Sequence, residues 1–166
     1  MIEARIRDLQ IQPFKSGAAM KLEAARMTPA GLETVEGNIK DHFLVVVTSS
    51  TDALGYHNFL TQRLQVDPNK NLFVSGTPQL ALVRPESRNG RLVLNFGGQN
   101  EVEDPGEGND NPRNVIPVQV WAYRGGAIEV PILSEFMSDN LKRAVKVART
   151  SGPWDRMSSQ NFMENN

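Results

Sequence analysis

Two histidines, His42 and His57, are the residues of this chain best suited to metal or acid–base work. They are too few and too far apart to carry the ligand spacing of a zinc site, so each reads as an ordinary strand or loop residue. Thr48, Ser49, Ser50 and Thr51 with Asp52 and His57 contain the residue types of a hydrolase triad. No Gly-x-Ser-x-Gly elbow surrounds those hydroxyls, and polar turn chemistry is the better reading. Cysteine is absent, which removes disulfides, thiolate metal ligands and cysteine nucleophiles together. The acids within residues 97–113 lack the regular spacing and closing Glu of a calcium loop. Gly97-Gly98 and Gly125-Gly126 lack the strand-to-helix setting of a phosphate loop and read as turns.

The elements that must position any site are strands. At 166 residues the chain has the size of one domain and can bury a core without staples. Its 18 basic and 19 acidic residues nearly cancel, so no global field would hold it on nucleic acid or an anionic membrane. The first residues alternate charged and apolar groups, unlike a signal peptide. No stretch approaches the roughly 18 apolar residues of a membrane span. A soluble, cytoplasmic protein is expected.

Residues 2–11 alternate as a strand, with a bulge expected at Asp8. Residues 20–28 form a second strand, and Phe43-Leu44-Val45-Val46-Val47 is the candidate for a fully buried central strand. Residues 59–64 form a short strand. Residues 80–84 and 91–96 are apolar runs joined through Asn89-Gly90, a hairpin signal because both residues tolerate positive φ. Residues 97–113, rich in Gly, Asn, Asp, Glu and Pro, read as a flexible surface loop. Strand character returns at 115–123, turns at Arg124-Gly125-Gly126 and resumes through 127–130. Pro131 then opens a helix with Leu133, Phe136, Met137 and Leu141 on one stripe. Residues 144–150 permit helix or strand by periodicity, and the tail 157–166 is polar and frayed.

The order of several motifs carries a resemblance. Pro13-Phe14-Lys15-Ser16 follows the first strand, then come Gly31-Leu32, Gly37-Asn38-Ile39-Lys40-Asp41-His42-Phe43, and Phe59-Leu60-Thr61-Gln62-Arg63. This succession resembles the N-terminal β-barrel domain of the MOSC family, to which the mitochondrial amidoxime-reducing component and molybdenum cofactor sulfurase-like proteins belong. Val118-Gln119-Val120-Trp121 and the helix from Pro131 continue it, similar to the start of the second, MOSC domain. There the family places a strand after the helix, which favours a strand at 144–150. The resemblance covers roughly residues 3–156.

In that family the Lys and Ser of the first turn and an Arg after Asp hold the phosphate end of a molybdopterin cofactor. The resemblance implies Lys15, Ser16 and His42 as counterparts, with Arg63 on the same side of the barrel. An ammonium and a hydroxyl beside turn amides suit a small anion site. His42 stands where the family has Arg, and an imidazole cannot form the guanidinium fork. Trp154-Asp155-Arg156 is either a ligand-facing segment or an aromatic staple for the tail. The family ties molybdenum to a Cys in its second domain, and this sequence has none.

The expected fold is therefore mainly β, an antiparallel barrel-like domain with one short C-terminal helix, with α+β as the alternative. Residues 1–114 are expected to form the MOSC N-terminal-like barrel, 115–156 a strand-helix-strand extension and 157–166 a flexible tail. The expected function is a non-catalytic binding module for an anionic pterin or molybdenum-cofactor-like ligand, or for a protein partner. The alternative is one component of a molybdenum-cofactor-dependent oxidoreductase or sulfur-carrier enzyme completed by a separate MOSC chain. No catalytic or metal-ligating residue is assigned, and neither nucleic acid nor membrane is expected as a partner. Apolar groups such as Trp121 or Val145, left exposed, would favour a homodimer.

Overall fold

The computed structural model describes residues 8–29, 31–62, 65–67, 72–74, 76–121 and 123–150. The fold is mainly β, with a closed five-stranded barrel, smaller antiparallel sheets and one helix near the C-terminus. Four short strands come first: β1 (Leu9–Ile11), β2 (Met20–Leu22), β3 (Arg26–Thr28) and β4 (Gly31–Glu33). They pair as two hairpins, β1 with β2 and β3 with β4. The stretch 20–28, expected as one strand, is thus two, because Arg26 to Thr28 turn to a different partner.

The barrel is built from β5 (Leu44–Thr51), β6 (His57–Phe59), β12 (Val115–Val120), β13 (Tyr123–Glu129) and β14 (Val145–Arg149). Two of its strands precede residue 114 and three follow it. Its neighbours are antiparallel except β6 and β12, which run parallel with Val118 opposite His57. Between β6 and β12 lie the hairpin β7 (Gln65–Asp67) with β8 (Leu72–Val74) and the three-stranded sheet β9 (Val83–Arg88), β10 (Arg91–Phe96) and β11 (Asn100–Glu103).

β5 explains why its sequence is a continuous apolar run and not an alternation. Val45 and Val47 face the barrel interior with Phe59, Val118, Val120, Ala127 and Ala148. Leu44 and Val46 face the opposite way, into a second cluster with Phe14, Ile39, Leu80, Leu94, Leu133 and Met137. A strand covered on both faces has no polar side to show. A five-stranded barrel is narrow, and Val and Ala fill it.

The helix α1 (Pro131–Leu141) begins on Pro131 and buries Leu133 and Met137, one turn apart, against the second cluster. It also completes the barrel wall. β14 meets β13 only at its last two residues, which leaves Val145 and Val147 without strand partners on that side. The Val145 amide donates to Ser138 Oγ at 3.1 Å and the Val147 amide to Ser134 Oγ at 2.9 Å. Ser138 Oγ donates back to the Val145 carbonyl and Ser134 Oγ to the Val130 carbonyl. No described helix is long and apolar enough to cross a membrane.

Several expectations are corrected. The short strand near Phe59 is β6, which ends at Phe59 where 59–64 was expected. Leu80 and Leu82 lie in a 3-10 turn (Pro78–Leu82), and the hairpin through Asn89-Gly90 starts at Val83. The second hairpin turns after Val120, not at Arg124-Gly125-Gly126. Val120 pairs with Tyr123 and Val118 with Gly125, so both glycines lie within β13. Val145 is buried, whereas Trp121 is 66% exposed.

The segment 97–113 is not a free surface loop. β11 extends the sheet, Val102 packs against the core, and Asp104 is buried. The Arg149 guanidinium, 3% exposed, donates twice to Asp104 (2.6 and 2.9 Å) and once to Asp110 (2.7 Å). Its charged plane also lies 5.3 Å from the Phe43 ring centroid. Burial works against this guanidinium's charge, yet the bonds and charge of Asp104, then Asp110, outweigh it and hold Arg149 above its ordinary value. Nearer the surface, Lys40 grips Glu107 at 2.7 Å.

Candidate functional site

The sequence Gln12-Pro13-Phe14-Lys15-Ser16-Gly17 runs beside the start of β5. Lys15 N donates to the Leu44 carbonyl at 2.8 Å, and Leu44 N to the Pro13 carbonyl at 3.0 Å. Phe14 is fully buried and anchors the segment. Gly17 N then donates back to the Phe14 carbonyl at 2.9 Å, which closes a turn with Lys15 and Ser16 at its centre. Ser16 adopts φ 69°, a left-handed conformation that favours Gly or Asn and costs about 1–3 kcal/mol for other residues.

Gly17 has its own constraint. A Cβ there would lie 3.1 Å from Phe14 Cδ1 and the Phe14 carbonyl oxygen and 3.2 Å from that of Val83. Two of those neighbours are backbone. Gly17→Ala is accordingly expected to destabilise the protein by about 1–3 kcal/mol, read as a lower urea midpoint.

His42 reaches the same turn through Gln12. Its backbone is also left-handed, φ 55°, and its amide donates to the Gln12 carbonyl at 2.8 Å. Its Nδ1 lies 2.8 Å from Asp41 Oδ2 and its Nε2 3.0 Å from Gln12 Oε1. The Gln12 amide group is oriented by its Nε2, which donates to the Gly17 carbonyl at 2.6 Å. Asp41 Oδ1 accepts the Gln12 backbone N–H at 2.6 Å. Both imidazole nitrogens therefore lie against oxygen atoms of the chain. This ring is fixed for holding position.

Lys15 projects to the barrel end. Its Nζ lies 4.2 Å from the Trp121 ring centroid and 5.6 Å from that of Phe59. The two rings meet edge to face at 90°, centroids 6.1 Å apart, and the ammonium sits in the corner between them. Such contacts contribute about 0.5–2 kcal/mol and restrict where the charge can go.

Of the residues expected at the site, Lys15, Ser16 and His42 are brought together, linked by Gln12. Arg63 lies outside the described residues. Its neighbour Gln62 donates from Nε2 to the Ser16 carbonyl. His57 is elsewhere, buried, with Nδ1 2.7 Å from the Thr48 carbonyl oxygen. Thr48 Oγ1 donates to the Ser50 carbonyl at 2.7 Å, so its hydroxyl serves the irregular end of β5 and not the turn expected at residues 48–51. Among the described residues no group of three His, Asp or Glu side chains could hold a metal ion. Gln12, Asp41, Phe59 and Trp121 are not among the expected site residues, although Asp41, Phe59 and Trp121 lie within the motifs that carry the resemblance.

Comparison with protein-family models, with curated proteins and with solved structures gives no match.

Proposed function

We propose that this chain is a non-catalytic binding module, built on the plan of the MOSC N-terminal domain, that holds an anionic ligand at the Lys15 turn. The observation that carries this reading is the convergence of strained backbone on one spot. Five described non-glycine residues have positive φ: Ser16, His42, Asn89, Trp121 and Lys142. Asn89 sits in an Asn-Gly hairpin and Lys142 caps α1, ordinary places for that conformation. Of the other three, Ser16 follows Lys15 in the turn, Trp121 lies 4.2 Å from its ammonium, and His42 reaches that turn through Gln12. Strain held by surrounding structure is a recurrent mark of ligand sites.

The ligand proposed from the resemblance is a pterin-type cofactor, gripped by its phosphate. Lys15, Ser16 and the turn amides suit that end. The Asp41 carboxylate accepts the Gln12 backbone N–H and lies beside His42 Nδ1, and it does not add to the anion's grip. With no cysteine in the sequence, no thiolate for molybdenum comes from this chain. In this reading the module works in the cytoplasm, with a MOSC-type partner chain or a second copy of itself.

The test is pterin fluorescence on protein purified from cells that make molybdenum cofactor. Stoichiometric pterin is expected, with affinity falling about tenfold or more on Lys15→Ala. Ser16→Gly should relieve backbone strain and leave the fold no weaker while also reducing affinity. Absence of both pterin and any phosphate-dependent shift at residues 15–17 would sink the proposal.

A further inference from the structure

Trp121 occupies a place where its own chain demonstrates a cheaper solution. The hairpin between β9 and β10 turns through Asn89-Gly90, the pair that adopts positive φ with least strain. The hairpin between β12 and β13 is equally tight, with Val120 paired to Tyr123, yet it puts Trp121 at φ 53° and leaves it 66% exposed. A bulky aromatic in the left-handed region is an outlier. An exposed tryptophan also forgoes most of the stabilisation that burial would bring.

The ring is nevertheless held in place. Phe59 and the Lys15 ammonium occupy the corner on one side of it, and Gln119 Nε2 donates to the Trp121 carbonyl at 3.2 Å. Gln119 Oε1 in turn accepts from Arg124 Nε at 3.0 Å, and that guanidinium lies 5.4 Å from the Tyr56 ring centroid. An exposed aromatic face thus stands beside the Lys15 ammonium, and Arg124 reaches the same hairpin through Gln119. That composition matches a ligand with a flat ring and a negative charge, since π-faces stack on tryptophan and anions follow Lys and Arg.

We infer that Trp121 is a stacking platform for the planar heterocycle of a phosphorylated ligand whose phosphate reaches Lys15 past the edge of the ring. This deepens the proposed function and rests on it for the phosphate end. The shared chemistry is a phosphorylated heterocycle, and its sources are a nucleotide or a pterin.

The test titrates the full chain with inorganic phosphate, AMP and a pterin phosphate, by calorimetry and tryptophan quenching. Trp121→Asn removes the ring and keeps a residue tolerant of positive φ. The expected result is that AMP or the pterin phosphate binds about tenfold tighter than inorganic phosphate, and that Trp121→Asn abolishes this gain. Whichever heterocycle shows the Trp121-dependent gain is the source. If both bind no tighter than phosphate, or Trp121→Asn leaves the gain intact, the platform is overturned, while Lys15-dependent phosphate binding would still uphold the proposed function. If phosphate also fails to bind, both fall. Self-association lost in Trp121→Asn, with no heterocycle binding, would overturn the platform in favour of an interface with a second copy.

Discussion

Replacing Arg149 with leucine is expected to lower the stability of the fold by about 3–5 kcal/mol, a drop in Tm of roughly 6–20 °C for a chain of this size. The guanidinium is 3% exposed and neutralises two carboxylates, one of them, Asp104, itself buried. Removing the cation leaves both with neither counter-charge nor their shared donors, and leucine returns none of those bonds. Thermal and urea denaturation measure the loss. Hydrogen exchange should show it concentrated in residues 104–110, which this side chain ties to β14.

The two carboxylates will not respond alike. Asp104→Asn breaks the bidentate pair and is expected to approach the Arg149→Leu effect. Asp110→Asn is expected to be mild, because burial pushes the Asp110 carboxyl above its ordinary value by more than the Arg149 charge pulls it down. A group raised on folding holds its proton more tightly in the folded state. Its contribution is complete below the ordinary carboxylate value, about pH 4, and is lost as pH rises through the raised one. Asp110→Asn removes that loss, so its stability should decline less than wild type's between acid and neutral pH. A steeper decline in the variant would contradict the assignment.

Phe14→Ala is expected to be as damaging, about 3–5 kcal/mol, against a total of about 5–15 kcal/mol for an ordinary domain. The ring has no solvent exposure, and its segment bridges to Leu44 in the strand that both clusters share. The hole left by alanine opens beneath Lys15 and Ser16, so ligand binding should fall with stability. Phe14→Leu keeps most of the volume and should lose much less. An unchanged urea m-value would show that the variant unfolds from the same compact state.

How far these features could be read from the chain depends on the range of the contacts behind them. The apolar run at Leu44 to Val47, the Asn89-Gly90 turn and the helix start at Pro131 are local signals, and each marks the element expected of it. The turn at Trp121 was missed because the local rule points to Gly125-Gly126, whereas tertiary pairing places those glycines opposite Val118 and Pro117. The order in 97–113 was missed because its anchor, Arg149, is 45 positions beyond Asp104. Composition cannot show an ion pair of that reach. At the candidate site, motif order drew attention to Lys15, Ser16 and His42. Gln12 joins them through side-chain bonds that no spacing announces.

The pairing of α1 with β14 has a consequence for life at high concentration. A strand with open amides is a template on which another chain can add its own strand. Here Ser134 and Ser138, one helical turn apart, take up the amides of Val147 and Val145, so the helix stands where a further strand would. If α1 lifts away, it uncovers both an apolar stripe and two adhesive amides on the same edge. The first step toward fibrous aggregation of this protein would then be helix detachment, with the strand pairings of the barrel still in place.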